Sequence, residues 1–218
     1  MDPFRLCLAV GPLAMYGLVL GLLNMSRRPW LITGALDLAA LAVALVGLVV
    51  VGPMELLLPD AAANHFGSYT YVWMLMLAFY GLSVSFFTLL SRPKLIVYNI
   101  GIDELRTVLV ELAPRMDSDF AWAGDNLVLP NLGVQLHLEN FPILRNVSVC
   151  SSGERQHYGG WRRLEIELSG ALRSVRVGHN PWGVGLVFIS LLACVACAIQ
   201  SFSNQEALAQ GFKQMLRL

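Results

Sequence analysis

Apolar positions run almost unbroken over helical lengths four times in this chain, three times before residue 92 and once after residue 180. A helix needs about 20 apolar residues to cross roughly 30 Å of hydrocarbon. The pattern therefore predicts spans at about 6–26, 30–51, 70–91 and 182–202. Span two starts at Trp30 and stops at Gly52-Pro53, span three closes at Arg92-Pro93-Lys94, and span four starts at Trp182. The first run, Leu6 to Ser26, is 21 residues long and ends in Arg27 and Arg28. It is longer than the apolar core of a signal peptide and lacks a small-residue cleavage site, so a retained span is expected.

Between spans three and four the pattern changes to short alternating segments. Leu95 to Ile100 is rich in β-branched and aromatic residues and reads as a strand. Ile102, Leu105, Leu109 and Leu112 then recur at helical spacing, and Pro114 is expected to end or kink that helix. Strands are predicted at 120–123 and 126–129 around the turn Gly124-Asp125. Val134, Leu136 and Leu138 alternate with Gln135, His137 and Glu139, the pattern of a half-buried strand. The next strand is read as pointing Ile143, Arg145, Val147 and Val149 one way.

From Trp161, the residues Leu164, Leu168, Leu172 and Val175 step by three or four, which favours a helix over the strand alternation also present in 164–168. Arg176 and Val177 are candidates for a short closing strand. The fold class expected is an integral membrane α-helical protein, four transmembrane helices in a 3+1 order, with an inserted α+β domain at 92–180. For that β-α-β-β-β-α insert the nearest common topology is ferredoxin-like. Residues 1–91 would hold spans one to three, and 181–218 span four and an amphipathic tail with Leu208, Phe212, Met215 and Leu216 at helical spacing.

Composition agrees with the membrane class: 56% of residues are hydrophobic, 14% are charged, and mean hydropathy is +0.60. Charge placement adds an orientation. Arg27, Arg28, Arg92, Lys94, Arg173 and Arg176 flank spans on one side, whereas residues 52–69 hold no Lys or Arg. The positive-inside rule puts residues 92–180 in the cytoplasm and both termini outside. Within 92–180, ten basic residues balance ten acidic ones, which argues against a nucleic-acid partner.

Candidate chemistry is sparse. Asp37 is the one clear acid inside a span, about 10 Å below the cytoplasmic edge at 1.5 Å per residue from Trp30. Such a residue is a candidate for handling a proton or small ion, or for a structural pairing near a helix start. Gly17 and Gly21 form a small-xxx-small pair suited to helix packing, within the bundle or between copies in a homo-oligomer. Cys194 and Cys197 spell CxxC in an apolar span, where a thiolate is disfavoured, so they read as small apolar residues.

Segment 155–163, with Arg155, His157, Tyr158, Trp161, Arg162 and Arg163, is the richest surface stretch and a candidate interaction loop. The four histidines have no metal-site spacing, and phosphate-loop and serine-nucleophile motifs are missing, so neither a metal nor a cofactor is expected. The resulting expectation is a non-enzymatic accessory protein, anchored in a lipid bilayer, whose cytoplasmic domain binds a protein partner. The alternative is a small-molecule or ion-handling protein with a polar pocket at Asp37.

Overall fold

The structure, a computed structural model, describes residues 3–54, 69–153, 156–178 and 180–216. Its elements, in chain order, begin with α1 (Pro3–Met25), β1 (Trp30–Thr33), α2 (Gly34–Val49) continued by a π-helical turn (Val50–Met54), and α3 (Tyr69–Leu90). Next come β2 (Lys94–Tyr98), α4 (Ile102–Met116), β3 (Ala121–Ala123), β4 (Asn126–Leu129), β5 (Val134–Phe141), a 3₁₀ turn (Pro142–Leu144) and β6 (Asn146–Ser151). Helices α5 (Tyr158–Leu172), α6 (Pro181–Ser203) and α7 (Gln205–Leu216) complete the chain. These residues fall into two compact units, one comprising Met1–Val19, Leu38–Leu90 and Leu186–Leu218, the other Leu20–Asp37 and Ser91–Gly185.

The first unit is helical. Four helices of the protein, Pro3–Met25, Gly34–Met54, Thr70–Leu90 and Pro181–Ser203, are long and apolar enough to cross a membrane. Small residues set their approach. A Cβ on Gly47 would lie 1.8 Å from the Leu8 carbonyl oxygen, so α2 meets the α1 backbone there. A Cβ on Gly17 would lie 2.5 Å from Ser190 Oγ, so α1 approaches α6 closely there. The Tyr80 hydroxyl donates to the Ala42 carbonyl at 2.7 Å, tying α3 to α2. Phe4 and Phe212 stack edge to face at 6.0 Å, bringing α7 onto α1. The side chains of Met215 and Leu216, expected on the apolar stripe of the tail, lie outside the described residues.

Outward, these helices remain apolar. Phe79, Leu82, Phe86, Leu89 and Leu90 on α3 are all exposed, Leu89 at 86%. Each such side chain left in water forgoes about 1.5–3 kcal/mol of burial energy.

In the second unit, six antiparallel strands form one sheet in the order β1-β2-β6-β5-β4-β3. Alternation sorts the side chains. Leu95, Val97, Leu127, Leu129, Val134, Leu136, Leu138, Val147 and Val149 point to one face, where Leu105, Leu109 and Leu112 of α4 and Trp161, Leu164, Leu168 and Leu172 of α5 cover them. The helical stripes expected from spacing are the residues that close this core. Asp103 and Glu104 lie in the first turn of α4, and Glu104 Oε2 accepts from the Gly101 N–H at 3.1 Å.

Five expectations need correction. Trp30–Thr33 is a strand, not the start of span two: Pro29 breaks the chain, and Leu31 and Ile32 pair with Val97 and Ile96. The sheet is not ferredoxin-like: it has six strands rather than the four of a β-α-β-β-α-β unit, and β3 to β6 form a consecutive meander with no α-helix between them. Helix α4 runs two residues beyond Pro114, because a proline in the last turn costs little continuing helix. Residues 142–145 are not strand: Pro142 opens a 3₁₀ turn and Arg145 takes a left-handed conformation at φ 43°. Finally, residues 173–178 form no closing strand; Val177 instead donates one backbone bond to the Arg27 carbonyl at 3.2 Å.

Candidate functional site

The sheet's other face carries no helix of the α4–α5 layer. Strand parity places Trp30 and Ile32 of β1, Lys94, Ile96 and Tyr98 of β2, Ser148 and Cys150 of β6, and Gln135, His137 and Glu139 of β5 on it. Burial is graded across this face. Ile96, Tyr98 and Ser148 are buried, Lys94 and Cys150 are half-buried, and Gln135 is exposed. The His137 and Glu139 side chains keep about two-fifths of their surface, 41% and 44%.

Asp37 reaches the buried end. Because 30–33 is strand, Asp37 lies in the first turn of α2 rather than deep in a span. There the positive end of the helix favours a carboxylate. The Tyr98 hydroxyl donates a hydrogen bond to its Oδ1. Strand β2 and the start of α2 are thus joined through side chains as well as through the β1–β2 ladder.

At the exposed end, Cys150 faces Lys94 on one side and His137 on the other, as cross-strand partners. His137 Nε2 lies 3.4 Å from Glu139 Oε1. Burial pushes the Cys150 thiol up to about 11; Lys94 opposes the shift, and a hydrogen bond to Glu139 together with its charge adds to it. A thiol so tuned is a poor nucleophile near neutral pH. The arrangement suits polar recognition better than covalent catalysis. Among the described residues no group of three or more His, Cys, Asp or Glu is placed to hold a metal ion.

Residues 156–163 are held more firmly than their composition suggests. Trp161 is buried in the core, and its indole N–H donates to Gln156 Oε1 at 2.7 Å. Gln156 in turn donates through Nε2 to the carbonyls of Ser152 and Gln135. His157 caps α5, its Nδ1 accepting from the Gly160 N–H at 3.2 Å, while its own N–H donates to Gly133. Gly160 is needed for close approach, since a Cβ there would sit 2.1 Å from the Leu132 carbonyl oxygen. Tyr158, Arg162 and Arg163 remain exposed; Arg155 lies outside the described residues.

Two further features flank these groups within the same unit. A cleft of about 260 Å³ runs between α4 and α5, lined by Val108, Glu111, Arg115, Ala171, Ser174 and Val175. Buried Asp117 ends α4 and accepts from the backbone N–H groups of Asp119 and Asn131 and from the Asn131 side chain. In the helical unit, the Cys197 carbonyl accepts from Ser201 Oγ at 2.8 Å and from the Cys7 thiol at 3.5 Å.

The structure therefore separates the predicted site residues. Asp37 belongs to the sheet's open face, the 156–163 residues to the opposite, helical layer, and Gly17 to a helix contact. Lys94, Tyr98, Cys150 and the polar side of β5 converge on one face that spacing alone did not assemble. Strand parity was the available signal, because Val147 and Val149 inside force Cys150 outside. Comparison with family models, curated proteins and solved structures finds no match to this chain.

Proposed function

We propose that the chain is a four-span membrane protein without catalysis of its own, whose cytoplasmic α+β domain docks a protein partner. The observation that carries this reading is a fully cored sheet with helices on one face, leaving Gln135, His137, Glu139 and the edges of Lys94 and Cys150 accessible on the other. A rigid scaffold that presents a mixed polar face binds without large ordering costs.

Membrane anchoring rests on four long apolar helices whose outward side chains stay exposed. The cytoplasmic assignment rests on the basic residues. Six residues that flank the spans (Arg27, Arg28, Arg92, Lys94, Arg173 and Arg176) belong to the sheet-bearing unit and outweigh Arg5, which belongs to the other. Both termini would then lie outside. The Asp37 carboxylate is engaged by Tyr98, which favours an anchoring role over an ion-handling pocket.

The test uses the full chain in its own membranes, with photo-crosslinking residues introduced singly at Gln135, His137 and Val110. One protein band captured from 135 and 137 but not from 110, on the helical layer, is the expected result. Equal capture from all three, or none, would overturn partner docking at this face. Reporter fusions after Leu90 and after Leu218 check orientation: cytoplasm for the first and outside for the second is expected. Two cytoplasmic signals would sink it.

A further inference from the structure

The tip between β5 and β6 is built from Phe141-Pro142-Ile143-Leu144, four apolar residues where a reversal needs none. Phe141 is 51% and Ile143 67% exposed, so neither serves the core. Pro142 sets the 3₁₀ turn and Arg145, left-handed, redirects the chain into β6. The turn is thereby stiff, and its two large side chains are held outward.

Arg145 also fixes where the tip lies within its unit. Its guanidinium donates to the Gly178 carbonyl at 3.0 Å and pairs with Glu104 at 3.3 Å. Its carbonyl accepts from the Ile100 N–H at 2.7 Å. Beside it, the Asn99 side chain donates to the Ser26 carbonyl, and Asn180 Nδ2 donates to Asn24 Oδ1 at 3.3 Å. The tip thus stands next to the end of α1 and the residues that lead into α6. The first aromatic of α6, Trp182, is itself 67% exposed. Arg27 and Arg28 follow that end of α1, Arg176 precedes α6 beside the Val177–Arg27 backbone bond, and all three are exposed.

We propose that the Phe141–Leu144 tip inserts into the interfacial layer of the bilayer beside the start of α6, with the neighbouring arginines facing anionic headgroups. Aromatic and aliphatic side chains favour that layer, and cations gather at its headgroup edge. The tip would act as a fifth point of membrane contact besides the four spans. It would hold the sheet domain at one tilt, so that its open face is presented to partners in one orientation. This inference rests on the membrane reading above.

The two can be told apart in one experiment. A genetically encoded fluorescent residue, sensitive to its surroundings, is placed singly at Ile143, at Val195 in α6 and at Ser118 in the exposed turn after α4. Each full-length variant is reconstituted in nanodiscs of phosphatidylcholine and phosphatidylglycerol, with and without bromine on the acyl chains. The expected result is a blue-shifted emission at 143, with a bromine-dependent loss like that at 195, and neither effect at 118. Loss at 195 with none at 143 overturns the inserted tip and leaves the membrane reading standing. No loss at 195 overturns both. A label at Phe141 repeats the measurement should the one at 143 disturb the turn.

Discussion

The Tyr98 hydroxyl donates to the Asp37 carboxylate, so the second strand of the sheet holds the first turn of the second long helix. Removing the hydroxyl leaves a half-buried acceptor without that donor, a change that costs about 1–3 kcal/mol. Tyr98→Phe should lower the thermal midpoint of the purified protein in detergent. Asp37→Ala should do the same, and the double variant should be less destabilised than the sum, with a coupling of about 0.5–3 kcal/mol. Additive losses would show that the two groups act separately.

Gly160 and Gly170 lie on the same helix and should respond in opposite directions to alanine. A methyl at 160 would meet the Leu132 carbonyl oxygen at 2.1 Å and Val134 at 2.8 Å, whereas the space around 170 is open. Overpacking of this kind costs about 1–3 kcal/mol. Gly170→Ala should stabilise by about 0.5–1 kcal/mol through helix propensity. Thermal denaturation of the two variants side by side checks both signs.

The Cys150 thiol should alkylate slowly at pH 8, and its rate should still climb steeply as pH rises from 9 toward about 11. Glu139→Gln removes a charge that raises the thiol and should speed the reaction; Lys94→Met should slow it. A folded value above the unfolded one stabilises the fold below about pH 9 and loses that contribution as pH passes about 11. Mass-spectrometric labelling of Cys150 against pH reads the rates.

Asp117 titrates in the opposite sense. Burial alone would raise its carboxyl, but hydrogen bonds from the Asp119, Asn131 and Leu132 backbone and from the Asn131 side chain outweigh it and hold the group below 3.8. Its contribution is present above that pH and is lost as pH falls through the lower folded value. Asp117→Asn should therefore flatten the acid limb of the stability curve and leave the limb above pH 5 parallel to wild type. Chemical denaturation at stepped pH decides it.

Much of the architecture was legible because it follows from period alone. The four long helices, the core stripes of α4 and α5, and the alternation in β5 all appear in the apolar pattern. What escaped was set by partners distant in the chain. Trp30–Thr33 is four residues long and merges into the apolar run of α2, so only its pairing with β2 identifies it as strand. That error carried Asp37 too deep, since the helix was counted from Trp30 rather than Gly34. The aromatic, arginine-rich segment 156–163 divides for a related reason, with Tyr158, Arg162 and Arg163 exposed and Trp161 inside. Trp161 is a core residue, and only its contacts with Gln156 and the sheet reveal it.

Strand β1 has one more consequence. The ribosome makes it before α2 and α3, and its partner β2 emerges only after both helices are complete. Through that interval Leu31 and Ile32 must wait unpaired, and the sheet cannot close until the chain returns with Lys94–Tyr98. A fragment cut at 92–180 would lack this strand and bare the apolar edge of β2, inviting self-association. Completion of the sheet therefore waits on the synthesis of both helices, and a chain ending within α3 would leave β1 without its partner strand.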